Sequence, residues 1–188
     1  MRKILIVTIA ALIAIIAAYF IFAPKLSAPT NTSPSDTTPA VTGAFDPKNS
    51  TFTINGTSIT LVNGESRVSA APGSATQIVT KYFGNEASGD LTRDGQADIA
   101  FLVTQDTGGS GLFYYAVVAI KTATGYKMTN AFFVGDRIAP QNNRIANGEL
   151  DINFAERRPG EPMSTQPSQG AVLILKVTPA GVLEGLMT

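Results

Sequence analysis

Hydrophobic positions along the chain fall into three regimes. From Ile4 to Ala23 no residue is charged, and the run is apolar all round. From 25 to 43 the chain reads "KLSAPTNTSPSDTTPAVTG", with few large apolar residues. Beyond it, short β-branched and aromatic runs alternate with turn signals. Asn-Gly pairs at 55–56, 63–64 and 147–148 each separate two such runs, and Asn-Gly is the strongest short-range hairpin signal. The pattern predicts strands at 51–54, 58–62 and 66–70, joined as a meander. Further strands are expected at 76–83, 98–104, 112–121, 126–134, 144–145, 150–154, 171–177 and 182–186. A short helix starting at Ser74 competes for the 76–83 segment. The loop 155–170 carries three prolines, so it is no central strand; it reads as a functional loop or as a tied-down surface crossover.

These regimes predict a membrane anchor over 1–24, a disordered Pro/Ser/Thr linker over 25–43 and an extracytoplasmic β domain over 44–188. The fold class expected is mainly β, a single antiparallel sandwich or partly closed barrel after one N-terminal transmembrane helix. No clean internal repeat supports a complete propeller. Twenty residues from Ile4 to Ala23 rise about 30 Å as a helix, the thickness of a hydrocarbon core. A secretory leader has a shorter apolar stretch, about 7–15 residues. Pro24 and Pro29 directly follow the small residues where a cut would fall. An uncleaved anchor with Arg2 and Lys3 on the cytoplasmic side follows from the positive-inside rule; a cleaved leader is the competing reading. Both export the remainder. The linker composition buries too little surface to offset its ordering entropy and reads as a stalk.

The 188 residues contain no Cys and no His. That excludes disulfides, thiol nucleophiles, Cys/His zinc sites and histidine-based triads. It also excludes an acylated-cysteine anchor. The expected domain keeps 13 acids once Asp36 is set aside, and 11 bases once Arg2, Lys3 and Lys25 are, a net of about −2. No basic surface for nucleic acid is present.

The most informative stretch is "GDLTRDGQADIAF", 89–101. Counted from Asp90, side-chain oxygens fall at positions 1 (Asp90), 3 (Thr92), 5 (Asp94) and 9 (Asp98). Gly95 occupies position 6, and Gln96 at position 7 offers a backbone carbonyl. This is the ligand order of a calcium loop, with Gly at the sharp turn. Position 3 is a hydroxyl, position 12 is Phe101 rather than a bidentate Glu, and Arg93 puts a positive charge inside the loop. A helix–loop–helix hand is therefore excluded, and the expected affinity is about 10⁻⁴–10⁻³ M. The competing reading is a dry Asp-Gly turn capped by Asx hydrogen bonds.

"GDLTRDGQADIAFLV" resembles the GDLNGDGxxDL calcium loop of FG-GAP and VCBS-type β modules. Over 51–177, "KYFGNEASGDL", "AFLVTQDTGGSGLFYYAVVA", "VGDRIAPQ" and "ERRPGEPMSTQPS" together resemble an uncharacterised bacterial envelope-anchored β module. Similar modules accompany META or lysozyme-inhibitor-like domains. The resemblance implies Asp90, Asp94 and Asp98 as calcium ligands, with Thr92 as a weaker oxygen and Gln96 through its carbonyl. It implies a structural calcium ion and brings no known activity.

These features predict a non-enzymatic, membrane-anchored envelope or surface module, binding or structural, stabilised by a weak calcium site. It would be single-pass in the cell membrane, with its C-terminal domain periplasmic or at the cell surface. Its expected partners are the membrane, through the N-terminal helix, and an envelope protein or glycan, not nucleic acid. One alternative is a cell-wall glycan-acting enzyme using carboxylates among Asp136, Glu156 and Glu161. Another is an inhibitor of an envelope-targeting enzyme such as lysozyme, presenting loop 155–170. Ser110 in "GGSGL" lacks the final Gly of a nucleophile elbow. Arg137, Arg157 and Arg158 read as an anion site or as solvated surface cations. Phe113, Tyr114 and Tyr115 put aromatics on both faces of one strand.

Overall fold

The computed structural model describes residues 44–186. The expected anchor over 1–24 and the whole of the expected linker over 25–43 lie outside these residues. Among the described residues no helix is long and apolar enough to cross a membrane.

The described chain is twelve antiparallel strands after a single 3-10 turn at Pro47–Asn49. They are β1 (Thr51–Ile54), β2 (Thr57–Thr60), β3 (Glu65–Ser69), β4 (Gln77–Gly89), β5 (Asp98–Asp106), β6 (Phe113–Thr122), β7 (Gly125–Met128), β8 (Phe132–Asp136), β9 (Ala139–Ala146), β10 (Glu149–Glu156), β11 (Gln169–Val177) and β12 (Leu183–Gly185). They form three sheets: the hairpin β1–β2, the sheet β12-β11-β10-β9, and a central sheet β3-β4-β5-β6-β7 in which β8 also pairs β6. None closes on itself, so the fold is an open sandwich rather than a barrel.

The central sheet is covered on both faces, which explains the unbroken apolar run of β5. Ala100 and Leu102 pack with Tyr114, Ala116 and Val118 against Leu150, Ile152, Phe154 and Leu175 of the four-stranded sheet. Phe101 and Val103 face the other way, with Tyr115 and Val117, and meet Phe52, Ile54, Ile59 and Leu61 of the hairpin. A strand buried on both faces loses the period-2 pattern, since neither set of side chains meets water.

All three Asn-Gly pairs adopt the turn that their residues favour. Backbone φ is +50° and +79° at Asn55–Gly56, +54° and +87° at Asn63–Gly64, and +56° and +73° at Asn147–Gly148. Two left-handed residues in succession match the strand twist of a tight hairpin. The expected meander does not form, however. β3 leaves β2 and pairs with β4; only one bridge, Val62 to Glu65, spans the turn at 63–64. Gly64 is the crossing point: its N–H donates to the Lys48 carbonyl (2.8 Å) and its carbonyl accepts from Tyr82 N–H (2.8 Å). One face of the small hairpin is thereby free to cover the central sheet.

The strand expected at 76–83 forms, and the competing helix after Ser74 does not: β4 runs on to Gly89, with register shifts around Gly84. The expected strand 126–134 is two strands. Thr129 takes both backbone groups of Val118: its N–H donates to the Val118 carbonyl (2.9 Å) and its hydroxyl accepts Val118 N–H (3.1 Å). Asn130 then leaves the ladder and bridges Thr53 of β1. Its side chain joins a third sheet, donating to the Leu183 carbonyl (3.2 Å) and accepting Leu183 N–H (2.8 Å). One amide side chain thus takes the place of a neighbouring strand along one seam of the sandwich. On the opposite seam Asn143 Nδ2 donates to the Asn85 carbonyl (2.7 Å), and Gly89 lies so close to Ile145 that a Cβ would sit 2.8 Å from it.

The proline-bearing loop is shorter than its sequence suggests, and it is no crossover. β10 and β11 pair from Leu150–Leu175 out to Glu156–Gln169, leaving a hairpin loop over 157–168. Arg157 ties that loop down, donating from Nη1 to the Arg137 carbonyl (2.9 Å) and from Nε to the Thr165 carbonyl.

Candidate functional site

Gly89, the last residue of β4, pairs with Asp98, the first of β5. The acidic stretch is therefore the loop of a hairpin in the central sheet. Leu91 drops into the main core, which pins one end of the loop. Arg93 and Gly95 take left-handed φ values of +61° and +83°, so the chain doubles back over a short distance.

The three carboxylates each have a different environment. Asp98 is fully buried. Its Oδ2 accepts the N–H groups of Leu91 (3.0 Å) and Thr92 (3.1 Å), and its Oδ1 accepts Lys121 N–H (2.8 Å). It links its own loop to the end of β6. Asp90 is half-buried and accepts Asp94 N–H (3.0 Å) on one oxygen and Gly95 N–H (2.8 Å) on the other. Asp94 is exposed and accepts Gln96 N–H (2.8 Å) and Gln96 Nε2 (3.3 Å). Charge-assisted bonds of this kind are stronger than neutral ones.

Asp90 and Asp94 thus cap the turn from above, while Asp98 supports it from below. Among the described residues no group of three or more acid side chains is placed to hold a metal ion. Thr92 is the one candidate whose side-chain oxygen is buried without a hydrogen-bond partner. Arg93 does not lie inside the loop. Its Nη2 donates to the Asn147 carbonyl (2.5 Å), at the β9–β10 turn of the facing sheet. A Cβ at Gly148 would collide with that guanidinium, so Gly at 148 serves both the turn and the dock.

Comparison with protein-family models, with curated proteins and with solved structures finds no match.

Several of the other candidates are engaged in the fold, while Glu156, at the end of β10, is exposed. Asp136 accepts Leu112 N–H (2.9 Å) and the Arg137 guanidinium through Nε (3.1 Å) and Nη2 (2.7 Å). The Arg137 hydrogen bond holds the Asp136 carboxyl below the usual aspartate range, and the pair raises Arg137 in turn. Glu161 accepts Arg158 N–H (2.9 Å) within its own loop. Aromatic side chains divide between the faces of β6: Tyr114 meets Phe83 edge-on at 5.3 Å, and Tyr115 meets Phe133 at 5.6 Å. Burial raises both tyrosines.

Two residues escape a reading of the sequence. Asn130 lies inside an expected strand and carries no motif. Gln105 lies at the end of an apolar run, "FLVTQD", and is only 8% exposed. A polar residue where the pattern calls for an apolar one is the available signal for Gln105.

Proposed function

We propose that this chain is a non-enzymatic, membrane-anchored envelope module whose β domain binds or braces outside the membrane, and whose acidic loop is a structural corner. The observation that carries the reading is the use made of the acidic loop. Asp90, Asp94 and Asp98 between them accept six backbone N–H groups, Leu91 enters the core, and Arg93 docks on the facing sheet. Its carboxylates act on the chain itself. Asp136 and Glu161, weighed for glycan hydrolysis, are likewise held by the fold.

A calcium-stabilised loop is the second reading, favoured by the unpartnered Thr92 oxygen beside two water-accessible carboxylates. There Asp90, Asp94, Thr92 and the Gln96 carbonyl face the ion, and Asp98 has to turn away from its amides to join them. Calorimetric titration of residues 43–188 with calcium separates the two. The structural-corner reading expects no heat and no melting shift at several mM. Saturable binding with a raised Tm establishes the ion. Export is tested separately by protease treatment of intact and of opened cells: protection of the β domain in opened cells overturns the anchored, outward-facing reading.

A further inference from the structure

The β1–β2 hairpin covers only part of the central sheet's second face. Beyond its tip at Asn55–Gly56 lies a cavity of about 210 Å³. It is lined by Ile54, Asn55, Thr57 and Ile59 of the hairpin, by Val68 of β3 and Ile78 of β4, and by Gln105 of β5. None of its lining residues is charged. Gln105 Nε2 donates to Thr80 Oγ1 (3.2 Å). Its Oε1 receives no hydrogen bond among the described residues, yet it is not among the unpartnered atoms sealed from solvent. Exchanging the two amide atoms changes nothing, since a hydroxyl serves as donor or acceptor. One end of a nine-tenths-buried amide is therefore accessible, on a residue that lines the cavity.

One exposed and one partly buried aromatic continue the surface. Phe113 lies directly across the strand pair from Gln105. Phe133, half exposed, packs on Phe113 at 6.3 Å and on Tyr115 at 5.6 Å. A large half-exposed aromatic beside a cavity marks an interaction surface more often than a solitary one does.

We propose that this cavity and its aromatic margin bind a neutral glycan, one sugar ring at a time. The uncharged lining disfavours an ionic ligand, which would lose its hydration without a counter-charge. The volume falls below the about 300–1,000 Å³ of sites for drug-sized ligands, so it suits a single ring. Sugar C–H faces suit the Phe133 and Phe113 rings, and hydroxyls suit the Gln105 and Asn55 amides. The free strand edge nearby is short and carries the Arg67–Glu65 and Lys81–Glu65 ion pairs, which discourage an added peptide strand. The inference rests on the proposed export for the kind of ligand that the surface meets, and the protease experiment above tests that export independently of binding.

The test uses the full chain in a zwitterionic detergent without a sugar headgroup, titrated calorimetrically with cellohexaose and with chitohexaose to about 10 mM, past the about 1 mM dissociation constant of a shallow site. Saturable binding of at least one is expected, about tenfold weaker in Gln105→Leu and in Phe133→Ala. Phe133 is exposed enough for its variant to fold, so the test survives if Gln105→Leu does not. Failure of both oligosaccharides to bind overturns the proposal. So does binding that Phe133→Ala leaves unchanged, or saturable binding at this site of a neutral Val-Thr repeat peptide in place of the sugars.

Discussion

Replacing Asp98 by Ala removes the acceptor for three backbone N–H groups at once, those of Leu91, Thr92 and Lys121. A buried donor without a partner costs about 1–3 kcal/mol. Leu91 is buried, whereas Thr92 and Lys121 are partly accessible, so water relieves part of the loss at the latter two. The expected cost is about 3 kcal/mol, or a fall in Tm of about 6–12 °C at about 2–4 °C per kcal/mol for a domain of this size. Asp98→Asn keeps one acceptor oxygen but turns an NH₂ group toward a donor, and should cost about 1–3 kcal/mol. Asp90→Asn caps an exposed turn and should cost under about 1 kcal/mol. Urea unfolding followed by far-UV circular dichroism measures all three, once with chelator and once with 5 mM calcium. The structural-corner reading expects the order Asp98→Ala, Asp98→Asn, Asp90→Asn in both conditions. Equal losses for Asp90 and Asp98 variants that appear only with calcium would refute it in favour of an ion site. An Asp98→Ala protein within about 0.5 kcal/mol of the parent would refute the burial argument itself.

Two further outcomes follow from the same structure. Asn130→Ala breaks both hydrogen bonds to Leu183 and should destabilise the domain by about 2 kcal/mol; Asn130→Asp, whose carboxylate faces the Leu183 carbonyl, should be worse by urea unfolding, and equality of both variants with the parent sinks the role given to that seam. Asp136 has a folded pKa below its ordinary value of 3.8, chiefly through Arg137, so its contribution is present above that value and lost as pH falls through the lower, folded one. Asp136→Asn should therefore cost about 1 kcal/mol at pH 7, with the gap to the parent closing below pH 4; a gap that widens in acid contradicts the assignment.

The parts of this fold that were legible in sequence are those set by local backbone chemistry. Each Asn-Gly pair specifies two left-handed residues wherever it occurs, and each of the three does so here. The β5 and β6 runs are apolar enough to declare strands without help from their neighbours. Pairing is another matter, because it depends on which face each strand must cover. β3 carries Ser66, Arg67 and Ser69 in five residues, and nothing in that composition tells a meander from an edge strand in a different sheet. Asn130 shows the same limit at one residue. Within "YKMTNAFFV" a single Asn looks like a weak strand position, yet here it ends one strand, meets β1 and replaces a backbone partner for β12. The acidic loop was legible as a turn rich in oxygens, since spacing fixes which residues share a turn. Spacing does not fix where an oxygen points. Asp98 is drawn under the loop because it is also the first residue of a buried strand, where the Lys121 amide from β6 lies within its reach. A carboxylate at the boundary between loop and core serves the core first, and in the structural-corner reading the same five-residue ligand pattern acts through burial.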